Sequence, residues 1–292
     1  MRSYNIYNLC IASELDFPDL IEVEGKADAN IRFGKVDDAI ATHAESSKAF
    51  VGELPEISRL WIYNGEEVII EPVKEVNESV IRTAILGPIL PVLLRQRGLL
   101  VIHASCVNIN NQGVAFMGGS GWGKSTLATA FHTQGYDVLT DDVLPIKIEE
   151  NQAIVYPSYP QFKLCPDAAN FLGQDAEKLL PVSKNSFKVA YKVSHKFEQN
   201  PIQLQQIYVL NKGSEHKITS LKPQETFVEL VRHTRAIKSI TEDKFVAQHL
   251  HLCSELIKNV RFCRFTRKPS LADLPKLINL VEEDLSAIQQ LV

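Results

Sequence analysis

Up to about residue 72 the chain carries short apolar runs, at 6–11, 29–33, 60–63 and 68–70, separated by turn-forming residues. That pattern predicts small antiparallel strands. Between the last two runs stands Asn64-Gly65, the strongest short signal for a hairpin turn. From 75 to 97 apolar residues recur at helical spacing through Val80, Ala84, Ile85, Ile89, Val92 and Leu93. Gly87-Pro88 and Pro91 should kink or split that helix. The spacing thus describes an N-terminal β-rich region with a bridging helix over residues 1–97, and a second unit over 98–292.

The second unit reads as α/β. Residues 99–104 and 113–117 predict buried strands, and a glycine-rich loop opens a helix over 124–134, with Gly135 placed to end it. The next strand, 136–140, runs into Asp141-Asp142. Further strands are expected at 205–210 and 260–265, with C-terminal helices over 224–235, 243–260 and 271–290.

Composition narrows the class. An apolar share of 45%, a charged share of 23% and a net charge of −4 describe a globular chain without a broad basic surface, so neither nucleic acid nor an anionic membrane is an expected partner. The apolar stretch 84–94 is broken by Pro88 and Pro91 and falls short of a membrane span, and residues 1–10 do not resemble a secretory signal. Five scattered cysteines, Cys10, Cys106, Cys165, Cys253 and Cys263, form no C-x-x-C pair. They fit reduced thiols, and a cytoplasmic location is expected.

The candidate chemistry begins at Gly118-Gly119-Ser120-Gly121-Trp122-Gly123-Lys124-Ser125, followed by Thr126. Small residues let successive backbone N–H groups converge on phosphates at a helix N-terminus, where the helix dipole also favours negative charge. Lys124 would reach the outer phosphates of ATP, and the Ser125 hydroxyl would complete the shell of a magnesium ion. Trp122 either covers the ligand or packs on its own helix. Asp141 and Asp142, at a strand end, can hold metal or take a proton; alternating strand directions separate their roles unless the chain bends. A solvated acidic turn is the plainer alternative. His103, at the end of the preceding strand, either orients an acid or is a satisfied core histidine.

Other signals carry less. Asn211-Lys212-Gly213-Ser214 lacks the Asp of a guanine-reading motif, and Asp142 is followed by Val143 rather than the Glu of an ABC-type ATPase. His249 and His251 lie about 200° apart on a helix, too far round to share a metal.

The run from His103-Ala104-Ser105 through the glycine-rich loop to Leu139-Thr140-Asp141-Asp142 resembles the catalytic core of HPr kinase/phosphorylase. The resemblance implies a P-loop core of the HPr-kinase and PEP-carboxykinase type, with residues 98–292 as the kinase domain. It also implies Asp141 as the base, His103 assisting it, Lys124 and Ser125 on phosphate and magnesium, and Asp142 placing metal or nucleotide. The family's Glu-x-Arg-Gly signature is absent, so reverse phosphorylase activity and HPr itself are not carried over. Instead Pro160-Gln161-Phe162-Lys163-Leu164-Cys165-Pro166-Asp167, the run Leu230-Val231-Arg232-His233-Thr234-Arg235 and the run Arg261-Phe262-Cys263-Arg264-Phe265-Thr266-Arg267 resemble HPr-kinase-like proteins of peptide modification, including the tail-serine kinases of lasso peptides. Lys163 and Arg235 are candidates either for the transferring phosphoryl group or for solvated charge.

The expected function is an ATP- and magnesium-dependent kinase acting on a hydroxyl, foremost a serine of a peptide or small protein. A kinase of a free small molecule and a non-catalytic nucleotide-sensing module are the alternatives. The hexamers of HPr kinases suggest a homo-oligomer, although the sequence leaves that open.

Overall fold

The computed structural model describes residues 1–42, 49–183, 186–240 and 242–289. The N-terminal strands are β1 (Arg2–Ile6), β2 (Leu9–Ser13), β3 (Ile21–Glu22) and β4 (Ala29–Phe33), followed by α1 (Val36–Thr42), β5 (Ala49–Leu54), β6 (Ser58–Tyr63) and β7 (Glu67–Pro72). They form one seven-stranded sheet in the order β3-β1-β2-β4-β7-β6-β5. Asn64 and Gly65 turn the β6–β7 hairpin at φ +53° and +68°, a left-handed pair that suits the twist of the strands.

The all-antiparallel expectation fails at β4, which lies parallel to both β2 and β7. Its alternating buried positions, Ala29 and Ile31, fill the middle of the sheet after connections too long to be hairpins. The run 6–11 is likewise not one strand. Tyr7 and Asn8 take positive φ and fold it into the tight β1–β2 hairpin.

The bridging helix consists of α2 (Glu78–Ala84), a π-helical stretch at Ile85–Ile89, and α3 (Leu90–Gln96). Pro88 lies inside the wide turn. Because proline has no N–H to give, the ladder widens there and continues without breaking. The buried face, Ile81, Ile85, Ile89, Leu93, packs in one apolar cluster with the N-terminal sheet, and that cluster continues into Val101, Val143 and Tyr159 of the second unit.

The second unit is built on a mixed nine-stranded sheet. Its elements are β8 (Leu100–Ile102), β9 (Ala104–Ile109), β10 (Gln112–Met117), α4 (Lys124–Thr133), β11 (Asp137–Thr140), β12 (Leu144–Glu149) and β13 (Gln152–Val155). Then come β14 (Gln161–Leu164), α5 (Pro166–Phe171), β15 (Val189–Lys192), β16 (Ile202–Lys212), β17 (Lys217–Ser220), α6 (Pro223–His233), α7 (Asp243–Asn259), β18 (Arg261–Arg267) and α8 (Leu274–Gln289). The sheet runs β11-β9-β10-β16-β13-β12-β8, with β18 also on β16 and β17 on β18. β10 and β18 both lie parallel to β16, so their C-terminal ends converge. β14 and β15 pair as a separate two-stranded ribbon.

The chain is therefore mixed α/β, as its pattern implies. The expected strand over 99–104 is divided at His103, and the last residue of the expected helix over 271–290, Gln290, lies outside the described residues. All five cysteines are free, and Cys106, Cys253 and Cys263 are buried. His249 is a packing residue, with Nε2 3.6 Å from Cys253 Sγ. Among the described residues no helix is long and apolar enough to cross a membrane.

Candidate active site

The glycine-rich loop sits where a fully buried strand meets a helix. From Gly113 to Met117 every residue of β10 is buried, which a continuous apolar run achieves with cover on both faces. α4 starts at Lys124 and buries Leu127, Ala128, Ala130 and Phe131. At the junction Gly123 has φ +76°, and a Cβ there would stand 2.9 Å from an Arg267 guanidinium nitrogen. Only glycine meets both demands. Trp122 folds over its own loop: a Cβ on Gly119 would lie 2.9 Å from its indole nitrogen. The Lys124 ammonium donates to the carbonyls of Gly118 and Gly119, at 3.0 Å each. Burial is the chief reason its pKa falls to about 8, against the opposing fields of Asp141 and Asp142.

A cleft of about 240 Å³ opens on this loop. Gly121 through Leu127 form one wall, and Lys124, Lys163, Lys188, Lys212 and Arg267 line it against one carboxylate among the described lining residues, Asp167. So unbalanced a set of cations suits a polyanion. Lys212 and Arg267 are partners in the parallel register of β16 and β18, at the C-terminal ends of both strands. No local pattern in the sequence marks either residue for a ligand. Ligands of open α/β sheets gather at such strand ends, but which ends adjoin the loop is fixed by strand order. Burial lowers the Arg267 pKa, and its Nε is buried with no hydrogen-bond partner.

Beyond the cleft lies the acid pair. After β11 the chain turns sharply: Asp142 takes φ +74°, and the Val143 N–H reaches the Asp141 carbonyl at 3.0 Å. This bend overrides strand alternation and gives the two carboxylates different surroundings. Buried Asp141 accepts from the Ser105 hydroxyl at 2.6 Å and from the Lys163 backbone N–H at 2.9 Å. Asp142 meets three basic side chains. His103 Nε2 lies 2.9 Å from Oδ1, the Lys163 ammonium lies 3.2 Å from Oδ2, and the Arg235 guanidinium binds Oδ1 and the backbone carbonyl.

Burial alone would raise the Asp142 carboxyl, but the His103 hydrogen bond and the charges of Lys163 and Arg235 outweigh it and hold the group far below the carboxylate range. The His103 pKa is lowered, chiefly by burial. A neutral imidazole facing a carboxylate that can only accept carries its proton on Nε2. Burial would lower Lys163 as well, yet Tyr159, Asp142 and Asp141 reverse that and raise it.

Each partner of Asp142 arrives by a different route. His103 sits at the break between β8 and β9, its backbone N–H bonded to the His233 carbonyl at 2.8 Å. The segment after α6 pairs with β8 through the Ile102–Thr234 bridge and the Arg235 N–H to Val101 carbonyl bond, which delivers Arg235. Lys163 comes from β14. Lys163 and Arg235 are thus not solvated surface charges. Tyr7, from the β1–β2 turn, is buried within range of the same charges; burial first, then Tyr159 and Asp142, raise its pKa.

The structure therefore brings together His103, Asp142, Lys163 and Arg235, and places Asp141 beside them on Ser105. Lys124, Ser125 and Thr126 line the adjoining cleft, with Lys163 common to both.

No family model and no curated protein matches the chain. Among solved structures, the HPr(Ser) kinase/phosphatase from Coxiella burnetii aligns with 65% of this chain and 98% of its own, at 16% identity and a TM-score of 0.35. Likeness at that level does not define a shared fold.

Proposed function

We propose that this protein is an ATP- and magnesium-dependent kinase that transfers the γ-phosphoryl group to a hydroxyl, foremost a serine of a peptide or small protein. The observation that carries the reading is the adjacency of a cation-lined cleft on the Gly118–Ser125 loop and a buried carboxylate, Asp141, joined through Lys163.

The loop amides and the α4 N-terminus receive the phosphates, and Lys124 turns from the Gly118 and Gly119 carbonyls toward them. Magnesium supplies charge neutralisation at the transferring group. Ser125 is suited to hold it at the start of α4. Asp142, the other metal ligand of this reading, has both oxygens engaged by His103, Lys163 and Arg235, and would join the shell only as one of them yields. Asp141 takes its hydrogen bonds from neutral donors and accepts the hydroxyl proton. Asp142, stripped of basicity by its cations, is a poor base and serves to hold His103, Lys163 and Arg235 in place. Positioning and charge neutralisation supply most of the rate.

The test is mass spectrometry of serine-containing peptides and free hydroxylated amino acids and sugars after incubation with MgATP. A gain of one phosphoryl group on a peptide, lost in Lys124→Ala, supports the reading. Tight ATP binding with no phosphorylated product from any acceptor would overturn it in favour of a nucleotide-sensing module.

A further inference from the structure

The cleft on the glycine-rich loop has two unlike sides, and strand order fixes where each lies. β11 and β10 are both antiparallel to β9, and β16 and β18 are parallel to β10, so these four strands run the same way in the order β11-β9-β10-β16-β18. Their C-terminal ends share one end of the sheet. The loop leaves β10 in the middle of it. Asp141 and Asp142 leave β11 on one side, and Lys163 is bound to both. On the other side Arg267 ends β18, and the chain runs through Pro269, Ser270 and a short 3-10 turn at Leu271–Asp273 into α8.

The β18 side is apolar. Pro269, Leu271, Leu274 and Leu277 line the cleft there, with Ser270 as the polar side chain of that stretch. Leu274 and Leu277 are buried where α8 packs on α4, and Leu271 is half-buried above them. Trp122 lies on the same side of the loop: a Cβ on Gly118 would stand 3.5 Å from its Cε3 and 3.4 Å from the Cβ of Leu210 in β16. Trp122 and Leu271 pack against one core cluster. Three ties hold the wall in place. The Gly213 N–H donates to the Arg267 carbonyl at 2.9 Å, the Lys268 N–H donates to His216 Nδ1 at 3.4 Å, and His216 Nε2 lies 3.2 Å from Asp273 Oδ2. The apolar side is therefore built before any ligand arrives, as small-molecule sites commonly are.

We infer that this side is the nucleobase site of the proposed kinase: the base packs against Trp122, Pro269 and Leu271, and the γ-phosphate points the other way, toward Lys163 and Asp141. The inference rests on the function proposed above and adds to it the direction in which the nucleotide lies and the residues that grip its base. An uncharged heteroaromatic ring gains from an apolar and aromatic wall, whereas phosphates do not. Lys124, Lys212 and Arg267 line the cleft next to that wall, where the phosphates would follow the base.

Two probes test the assignment. The first is calorimetric titration with ATP and with inorganic triphosphate, both with magnesium, the second ligand offering the phosphates without base or sugar. ATP should bind about tenfold more tightly, the size of one base–aromatic contact. In Leu271→Ser that advantage should shrink by about fivefold while triphosphate affinity holds, with the melting temperature showing that the variant is folded. The second probe needs no variant. Photolabelling of the wild-type chain with 8-azido-ATP, mapped by mass spectrometry, should attach at Trp122 or within residues 269–277. Attachment within residues 161–171, on the Lys163 side, would put the base at the wrong end and overturn the assignment. Equal affinity for ATP and triphosphate would do the same, as would a Leu271→Ser variant that weakens both ligands alike or neither. Failure of both ligands to bind the wild type would instead bring down the function on which the nucleobase site rests.

Discussion

The glycine-rich loop and the charge cluster on Asp142 differ in how the chain writes them. The loop is one contiguous stretch, 118–125, whose conformation follows from its own glycines and from the strand and helix that flank it. The cluster draws His103 from a strand break, Asp142 from a left-handed turn, Lys163 from β14 and Arg235 from the segment after α6. A contiguous motif can bind phosphate wherever a strand feeds a helix. A cluster assembled from four places exists only when the whole unit is folded; the bends of the loop are set locally, while the cations that line its cleft, Lys163, Lys188, Lys212 and Arg267, are brought there by the same distant pairings as the cluster.

The sharpest test of that contrast is Asp141→Asn. It keeps the shape, with the amide oxygen accepting from the Lys163 N–H and the amide nitrogen donating to the Ser105 hydroxyl, but removes the proposed base, so kcat should fall by about 10²–10⁴ while nucleotide affinity holds. Equal losses in both would erase the division of labour between loop and acid pair.

Asp142→Asn should act differently, through stability. It leaves Lys163 and Arg235 without their counter-charge in a largely buried setting, at a cost of about 3 kcal/mol in denaturant unfolding. The pH dependence has a definite sign. Because the folded carboxyl is depressed, its stabilisation is whole above the unfolded value of 3.8 and drains away as pH falls below it. The variant should lose that part of the acid slope.

Lys124→Met sharpens the comparison from the other side. Burial depresses this lysine from 10.5 to about 8, so the unfolded chain binds the extra proton between those values and wild-type stability rises with pH across that window. Removing the ammonium should flatten the rise and raise stability at pH 7 by about 1–2 kcal/mol, part of the gain being offset by the freed Gly118 and Gly119 carbonyls. Nucleotide binding should disappear. A loop optimised for phosphate at the expense of stability behaves in this way; a purely structural lysine would lose stability on substitution.

The smallest effect belongs to Arg267→Met. Its guanidinium packs against Gly123 and the residue lines the cleft. Affinity for MgATP, read by fluorescence titration, should weaken about tenfold with kcat for bound substrate little changed.

Legibility in the sequence follows the same division. The loop, α4, the Asn64-Gly65 hairpin and the split bridging helix announce themselves through local residues. His103, Asp141 and Asp142 could be picked out by their places at strand ends. Their pairing could not, because the Asp142 turn depends on a positive φ at a non-glycine residue, and Lys163 and Arg235 reach it through strand pairings far apart in sequence. The parallel placement of β4, and the convergence of Lys212 and Arg267 beside the loop, likewise depend on strand order. The β14–β15 ribbon has no local signature, because its strands are short and are separated by α5 rather than by a turn.

The most direct measurement is calorimetric titration of the whole chain with ATP in the presence and absence of magnesium. The expected result is saturable heat with MgATP that vanishes in Lys124→Ala and persists in Asp141→Asn. No heat from adenine nucleotides at millimolar concentration, or equal heat from the Lys124→Ala variant, would contradict the assignment of the Gly118–Ser125 loop as a phosphate site.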